Sequence, residues 1–169
     1  MLESKVELLI VRGAPGAGKS TAVRLLRKMI PGGAIIEVDA LRAMIAAVQW
    51  VNTEQHWIAL DHARLLSQSF AAKGLRPVVL VDTFSRGKLT AFVATLDLTY
   101  RVASLFLDEA ELINRVNGRP EGGFKDIEAC RVLNAEVASN RYEHERLIDV
   151  TNLQPSAVAE ALLDVLCSP

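Results

Sequence analysis

Apolar residues fall along this chain in short continuous runs, separated by stretches where they recur every three or four positions. Val6-Glu7-Leu8-Leu9-Ile10-Val11 has the composition of a buried strand. Ala22, Leu25, Leu26, Met29 and Ile30 then recur at helical spacing until Pro31-Gly32-Gly33 ends them. Residues 34–38 predict a second strand, closing at Asp39, and residues 40 to about 48 a helix. From Trp50 to Lys73 the pattern predicts further helix, with Trp57, Leu60, Leu65 and Phe70 among its apolar positions and Gly74 as its C-cap. Val78-Val79-Leu80-Val81 is apolar on both faces, as central parallel strands are, and it ends in Asp82. A short helix over 88–96 leads to a fourth strand over 100–107. Asp108 and Glu109 open the next helix, where carboxylates suit the helix dipole. That helix runs into a glycine-bearing stretch, 115–124, too rich in glycine to stay regular. Residues 126 to about 145 predict a helix, 147–150 a fifth strand, and Pro155 begins a last helix ending near Leu166.

Strands alternating with helices imply an α/β fold, a five-stranded parallel sheet with helices on both faces. Right-handed crossovers bring the carboxyl ends of all its strands to one edge, where ligands bind. With 169 residues, half of them hydrophobic, and a mean hydropathy of +0.22, residues 1–169 are expected to form a single globular domain. A formal net charge of −1 gives no global basic field, so nucleic acid as a partner gets no support from charge, although a local basic groove stays open. Cys130 and Cys167 form no C-x-x-C unit, which suits a reducing compartment and two buried packing thiols. His56, His62 and His144 lack metal-ligand spacing and read as structural or surface residues. No apolar run reaches membrane-spanning length, and too little chain precedes Gly13 for a leader, so the expected location is the cytoplasm.

Chemistry concentrates between the first strand and first helix, in Gly13-Ala14-Pro15-Gly16-Ala17-Gly18-Lys19-Ser20-Thr21. This is the P-loop pattern G-x-x-x-x-G-K-[ST], met at Gly13, Gly18, Lys19 and Ser20. Glycines let the backbone turn its N–H groups inward onto phosphate oxygens, Lys19 reaches the β- and γ-phosphates, and the Ser20 hydroxyl ligates Mg²⁺. A nucleoside triphosphate, ATP with Mg²⁺, is therefore the expected ligand. Asp39 and Arg42, three residues apart at the start of a helix, share one face. There the carboxylate can take the proton of an attacking hydroxyl and the arginine can fork onto a phosphate; the plainer alternative is a helix cap with a surface ion pair. Asp82 closes an apolar strand as a Walker B acid does, which points to the metal, against a capping role. Thr83 follows it, not the second acid of ATP-driven motors. Arg115 and Arg119 have the placement of lid arginines that neutralise charge on a transferring phosphoryl group, against ordinary surface arginines. Trp50 and Trp57 read as core. No N-K-x-D string for guanine recognition occurs, which removes a GTPase switch.

With these motifs the chain resembles the small P-loop kinases grouped around polynucleotide kinase, chloramphenicol phosphotransferase and the zeta-type toxin kinases. The likeness runs through nearly the whole element order, while motif identity lies in Gly13–Thr21, Asp39/Arg42 and Arg115/Arg119. The resemblance implies the strand order 2-3-1-4-5, a mobile lid at about 115–124 before the fifth strand, and Thr151-Asn152 near the base. It gives Asp39 the activation of the acceptor hydroxyl and Arg42 a substrate phosphate, although some members of the fold class use the acid after the second strand for the metal. The implied activity is transfer of the γ-phosphoryl of Mg·ATP to a hydroxyl of a small molecule, a nucleotide or a nucleic-acid end. A nucleotide-binding regulatory protein without an acceptor is the alternative.

Overall fold

The computed structural model describes residues 6–121, 123–139, 142 and 144–168. In chain order the elements are β1 (Leu8–Gly13), α1 (Lys19–Leu26), β2 (Ala34–Glu37), α2 (Val38–Arg42), α3 (Thr53–Ala72) and β3 (Val78–Asp82). There follow α4 (Arg86–Val93), β4 (Tyr100–Phe106), α5 (Glu109–Asn117), α6 (Ile127–Ser139), β5 (Glu145–Asp149) and α7 (Pro155–Cys167).

All of β1 is buried, and so is all of β3, which requires cover on both faces of the sheet. Leu9 and Val11 pack in one cluster with residues of α1, α5, α6 and α7. Leu8 and Ile10, on the other face, pack with Val38 of α2, Leu60 of α3 and Leu89 of α4. The sheet order is β2-β3-β1-β4-β5, with every pairing parallel, as the resemblance implies. Register puts Arg12 beside Asp82 and Glu37 beside Val81, so the loop after β1 and the acids ending β2 and β3 share one edge. Among the described residues no helix is long and apolar enough to cross a membrane.

One charged group crosses the central core. Arg12 is fully buried beneath the loop that follows it; its Nη2 donates to Glu145 Oε1 at 2.7 Å and its Nε to Ser104 Oγ at 2.7 Å. The Tyr142 ring lies 5.0 Å from its guanidinium. This pair ties β1 to β5 across β4, and Glu145 accordingly begins a strand instead of ending a helix.

The helix expected over 40–48 is much shorter. Val38 is already helical and α2 stops at Arg42, whose Nη2 donates to the carbonyls of Gln49 and Trp50 at 3.2 and 2.8 Å and so turns the chain back. Asn52 then caps α3 by accepting from the Gln55 N–H at 3.0 Å, which delays that helix to Thr53. Helix α6 ends at Ser139; the rest of the helix expected to about 145 falls partly on residues outside those described. Cys130 is buried, but Cys167 is exposed, because it lies one position beyond the buried stripe of Val158, Leu162, Val165 and Leu166 on α7.

Candidate active site

The connection between β1 and α1 is five residues long, and glycine makes its path possible. A Cβ on Gly13 would lie 2.6 Å from the Leu105 carbonyl oxygen, and Gly18 enters α1 at φ 86. Gly18 brings no capping side chain, so no side chain caps the first turn of α1, where helices receive anions. Pro15, Gly16, Ala17, Gly18, Lys19, Ser20 and Thr21 line a cavity of about 920 Å³, with buried Gly13 and Ala14 forming its support. The same cavity takes in Asp39, Arg42, Asp82, Arg115 and Arg119, so the candidate residues from four separate segments share one space.

Lys19 folds back over its own loop, donating from Nζ to Gly13 O at 2.7 Å and Ala14 O at 3.1 Å. Burial pulls its ammonium down to about 8 from 10.5, with Asp82 and then Asp39 opposing the shift. Ser20 Oγ donates to Glu37 Oε2 at 2.8 Å. Asp82 is buried; its Oδ2 meets His56 Nε2 at 2.8 Å, and its other oxygen makes no hydrogen bond among the described residues. Ser20, Glu37 and Asp82 thus offer hard oxygen donors around the loop, the kind Mg²⁺ takes alongside phosphate oxygens. No group of three His, Cys, Asp or Glu side chains among the described residues forms a metal cage of its own.

Asp39 lies in the first turn of α2 and remains open to solvent. Partial desolvation, and next the Asp82 carboxylate, raise its pKa above the usual aspartate value, while Lys19, Arg42 and His56 pull the other way. Arg42 is almost buried, and its fork is turned to backbone carbonyls, with its guanidinium 5.0 Å from the Trp50 ring centroid. It is thus a strut for the 49–52 turn, with a buried Nε left unpartnered. Trp50 is half exposed and lines the cavity, contrary to its reading as core; the tight turn braced by Arg42 pushes it out.

Arg115 and Arg119 differ. Residues 115–117 are the last turn of α5, so the stretch expected to be irregular from 115 starts as regular helix, capped by Gly118. Arg115 donates from Nε to Glu111 Oε1 at 2.6 Å and from Nη2 to Val150 O at 3.2 Å, and it lies beside the loop, 3.8 Å from where a Cβ on Gly18 would be. Arg119 lies beyond the helix with its Nη1 buried and unpartnered. Gly122, in the same stretch, is outside the described residues. Leu153, Gln154 and Pro155, not Thr151 and Asn152, line the cavity next to this wall. Thr151 is engaged instead by Asp149 and the Asp108 N–H.

Sequence reasoning missed Glu37 and His56. Glu37 left a trace, an acid closing an apolar strand two residues before Asp39. His56 left none, because only the packing of α3 on the sheet brings it to Asp82.

The family model described as an AAA domain matches residues 8–144, most of the chain and every strand end that carries the site except the last. The chain belongs to this family. No curated protein sequence matches it. Among solved structures, a sugar kinase from Janibacter sp. HTCC2649 superposes with a TM-score of 0.71 at 17% identity, over 96% of this chain and 97% of that one. A gluconokinase from Sinorhizobium meliloti 1021 gives 0.67 at 20% identity, over 97% and 93%. The tunicamycin resistance protein of Deinococcus radiodurans gives 0.66 at 14% identity, over 93% of each. The fold of this AAA-domain protein is that of the small P-loop kinases.

Proposed function

We propose that this single P-loop kinase-like domain, residues 1–169, transfers the γ-phosphoryl of ATP to an alcohol hydroxyl. The observation that carries the reading is one cavity of about 920 Å³ in which the phosphate loop faces the same space as Asp39. The cavity also holds an arginine donor, Arg119 Nη1, that is buried with nothing to bind. An unpaired buried guanidinium N–H costs free energy, and an anionic ligand removes that cost. The names of the structural neighbours, sugar kinase and gluconokinase, support the same class of reaction.

In this reading the amides of residues 13–21 and Lys19 hold the phosphates, and Ser20 and Asp82 are the residues that would hold Mg²⁺. Bound there, Mg²⁺ supplies charge neutralisation on the phosphate oxygens. Asp39 accepts the proton of the acceptor hydroxyl as its oxygen bonds to the γ-phosphorus; the bond to the β–γ bridging oxygen breaks and ADP leaves. Lys19, Arg119 and Arg115 offset the negative charge on the moving phosphoryl group. The segment from Arg115 to Phe124 closes over the nucleotide as a lid. Arg42 supports the acceptor side through the Trp50 turn, with its Nε directed to an anionic group of the acceptor. Trp50 and Phe124 give that side aromatic walls, which suits a small molecule or a nucleotide as acceptor. An ATP requirement and two free thiols suit the cytoplasm.

The test is transfer from γ-labelled ATP to a panel of sugars, sugar acids, nucleosides, nucleotides and aromatic alcohols, with Asp39→Asn as control. Labelled product that disappears in the variant is the expected result. Tight Mg·ATP binding with no transfer to any acceptor would instead favour a nucleotide-binding regulator.

A further inference from the structure

Behind the metal-facing acid lies a chain of three polar groups that the P-loop motif does not account for. His56 on α3 and Asp82 at the end of β3 are both about 95% buried, and Lys88 in α4 is partly buried. Lys88 Nζ lies 2.7 Å from His56 Nδ1, and His56 Nε2 lies 2.8 Å from Asp82 Oδ2. An ammonium group has only hydrogens to give, so the Nδ1 it contacts must be the accepting nitrogen. The ring hydrogen is then on Nε2 and is donated to Asp82. The order of donation is Lys88 to His56 to Asp82, and the ring carries the influence of the lysine charge onto the carboxylate. Helices α3 and α4, packed on one face of the sheet, and the strand β3 contribute one group each.

We propose that His56, backed by Lys88, is a positioning residue for Asp82. It ties down Oδ2 and thereby presents the other oxygen, which has no partner among the described residues, to the cation beside the phosphate loop. Burial gives this arrangement its force. A carboxylate this enclosed and unpartnered is costly and would turn away from the loop, where it no longer serves a cation. The same geometry explains why a histidine stands on a helix face that otherwise packs Ala59, Leu60 and Ala63 against the sheet. The proposal rests on the nucleotide-binding half of the kinase reading and needs no acceptor.

The experiment titrates Mg²⁺ into protein saturated with a non-hydrolysable ATP analogue and follows thermal stabilisation, with Mn²⁺ bound under the same conditions read by electron paramagnetic resonance. His56→Ala is expected to raise the half-saturating metal concentration by roughly 10- to 100-fold, the usual effect of losing a residue that orients a ligand. Metal-free analogue binding stays as in the native protein. His56→Gln keeps an N–H near the position of Nε2 and is expected to restore most of the affinity, which a purely packing role would not do. Lys88→Met, at a more exposed position, is expected to shift metal affinity in the same direction by a smaller factor, and it serves where His56→Ala fails to fold. Unchanged metal affinity in His56→Ala or Lys88→Met would overturn the proposal, as would Gln and Ala variants that are equally impaired. A native protein with no metal-dependent response would overturn the nucleotide reading itself, and the proposal with it.

Discussion

Replacing Lys19 with Met removes a charge that the empty fold holds at a cost. The fall of its ammonium from 10.5 to about 8 corresponds to roughly 3 kcal/mol against the charged form. The residue is only partly buried, so that figure is an upper bound. Against it stand two hydrogen bonds, to Gly13 O and Ala14 O, each contributing about 1 kcal/mol. The variant is therefore expected to be more stable than the native protein at neutral pH by about 1 kcal/mol, or about 3 °C in Tm. The pH dependence gives the sharper signature. The folded value lies below the unfolded one, so between about 8 and 10.5 the unfolded chain binds more protons and native stability rises with pH. Below about 8 both states carry the proton and the full cost stands. The advantage of the Met variant should accordingly be greatest near neutrality, shrink above about pH 8 and reverse toward pH 10. Paired denaturant melts over that range, in buffers free of nucleotide, phosphate and sulfate, measure it. A difference between the two proteins that stays flat with pH would refute the argument. The same variant should lose the stabilisation that Mg·ATP is expected to give the native protein, since Lys19 is the proposed partner of the phosphates.

Asp39→Asn should leave nucleotide affinity close to native and lower transfer by roughly two to four powers of ten, the scale of a lost general base. Because partial desolvation and Asp82 raise the pKa of Asp39, the acid limb of the native rate profile should fall above the usual aspartate range, as protonation removes the base. A limb at ordinary aspartate pH, or rescue of the variant by excess Mg²⁺, would move the assignment elsewhere. Glu145→Ala strands the buried Arg12 charge and should cost about 3–5 kcal/mol by chemical denaturation, while Arg12→Met with Glu145→Leu should recover most of it; equal loss in the double variant would show that packing, not charge, is at stake.

The periodicity of the chain determined the element order, because a strand buried on both faces and a helix with one apolar stripe leave different spacings whatever their surroundings. It also determined the phosphate loop, whose chemistry is local: Gly13 and Gly18 shape a turn that Lys19 and Ser20 complete within a few residues. Asp39 and Asp82 were legible for a related reason, since in a parallel sheet every strand end falls on one edge. The boundaries that differ depend on which partners single side chains find, as the Asn52 cap does at the start of α3. Arg42 reaches carbonyls seven and eight residues on and cuts α2 short, so Trp50 lines the cavity and does not enter the core. Glu145 belongs to β5 because Arg12, 133 residues earlier, claims its carboxylate. The contact of His56 with Asp82 exists only once α3 lies across the sheet, and no spacing in the chain encodes it. Short-range geometry writes itself into sequence as a repeat or a motif; long-range pairing of single side chains leaves no such trace, and here the tertiary fold alone decided it.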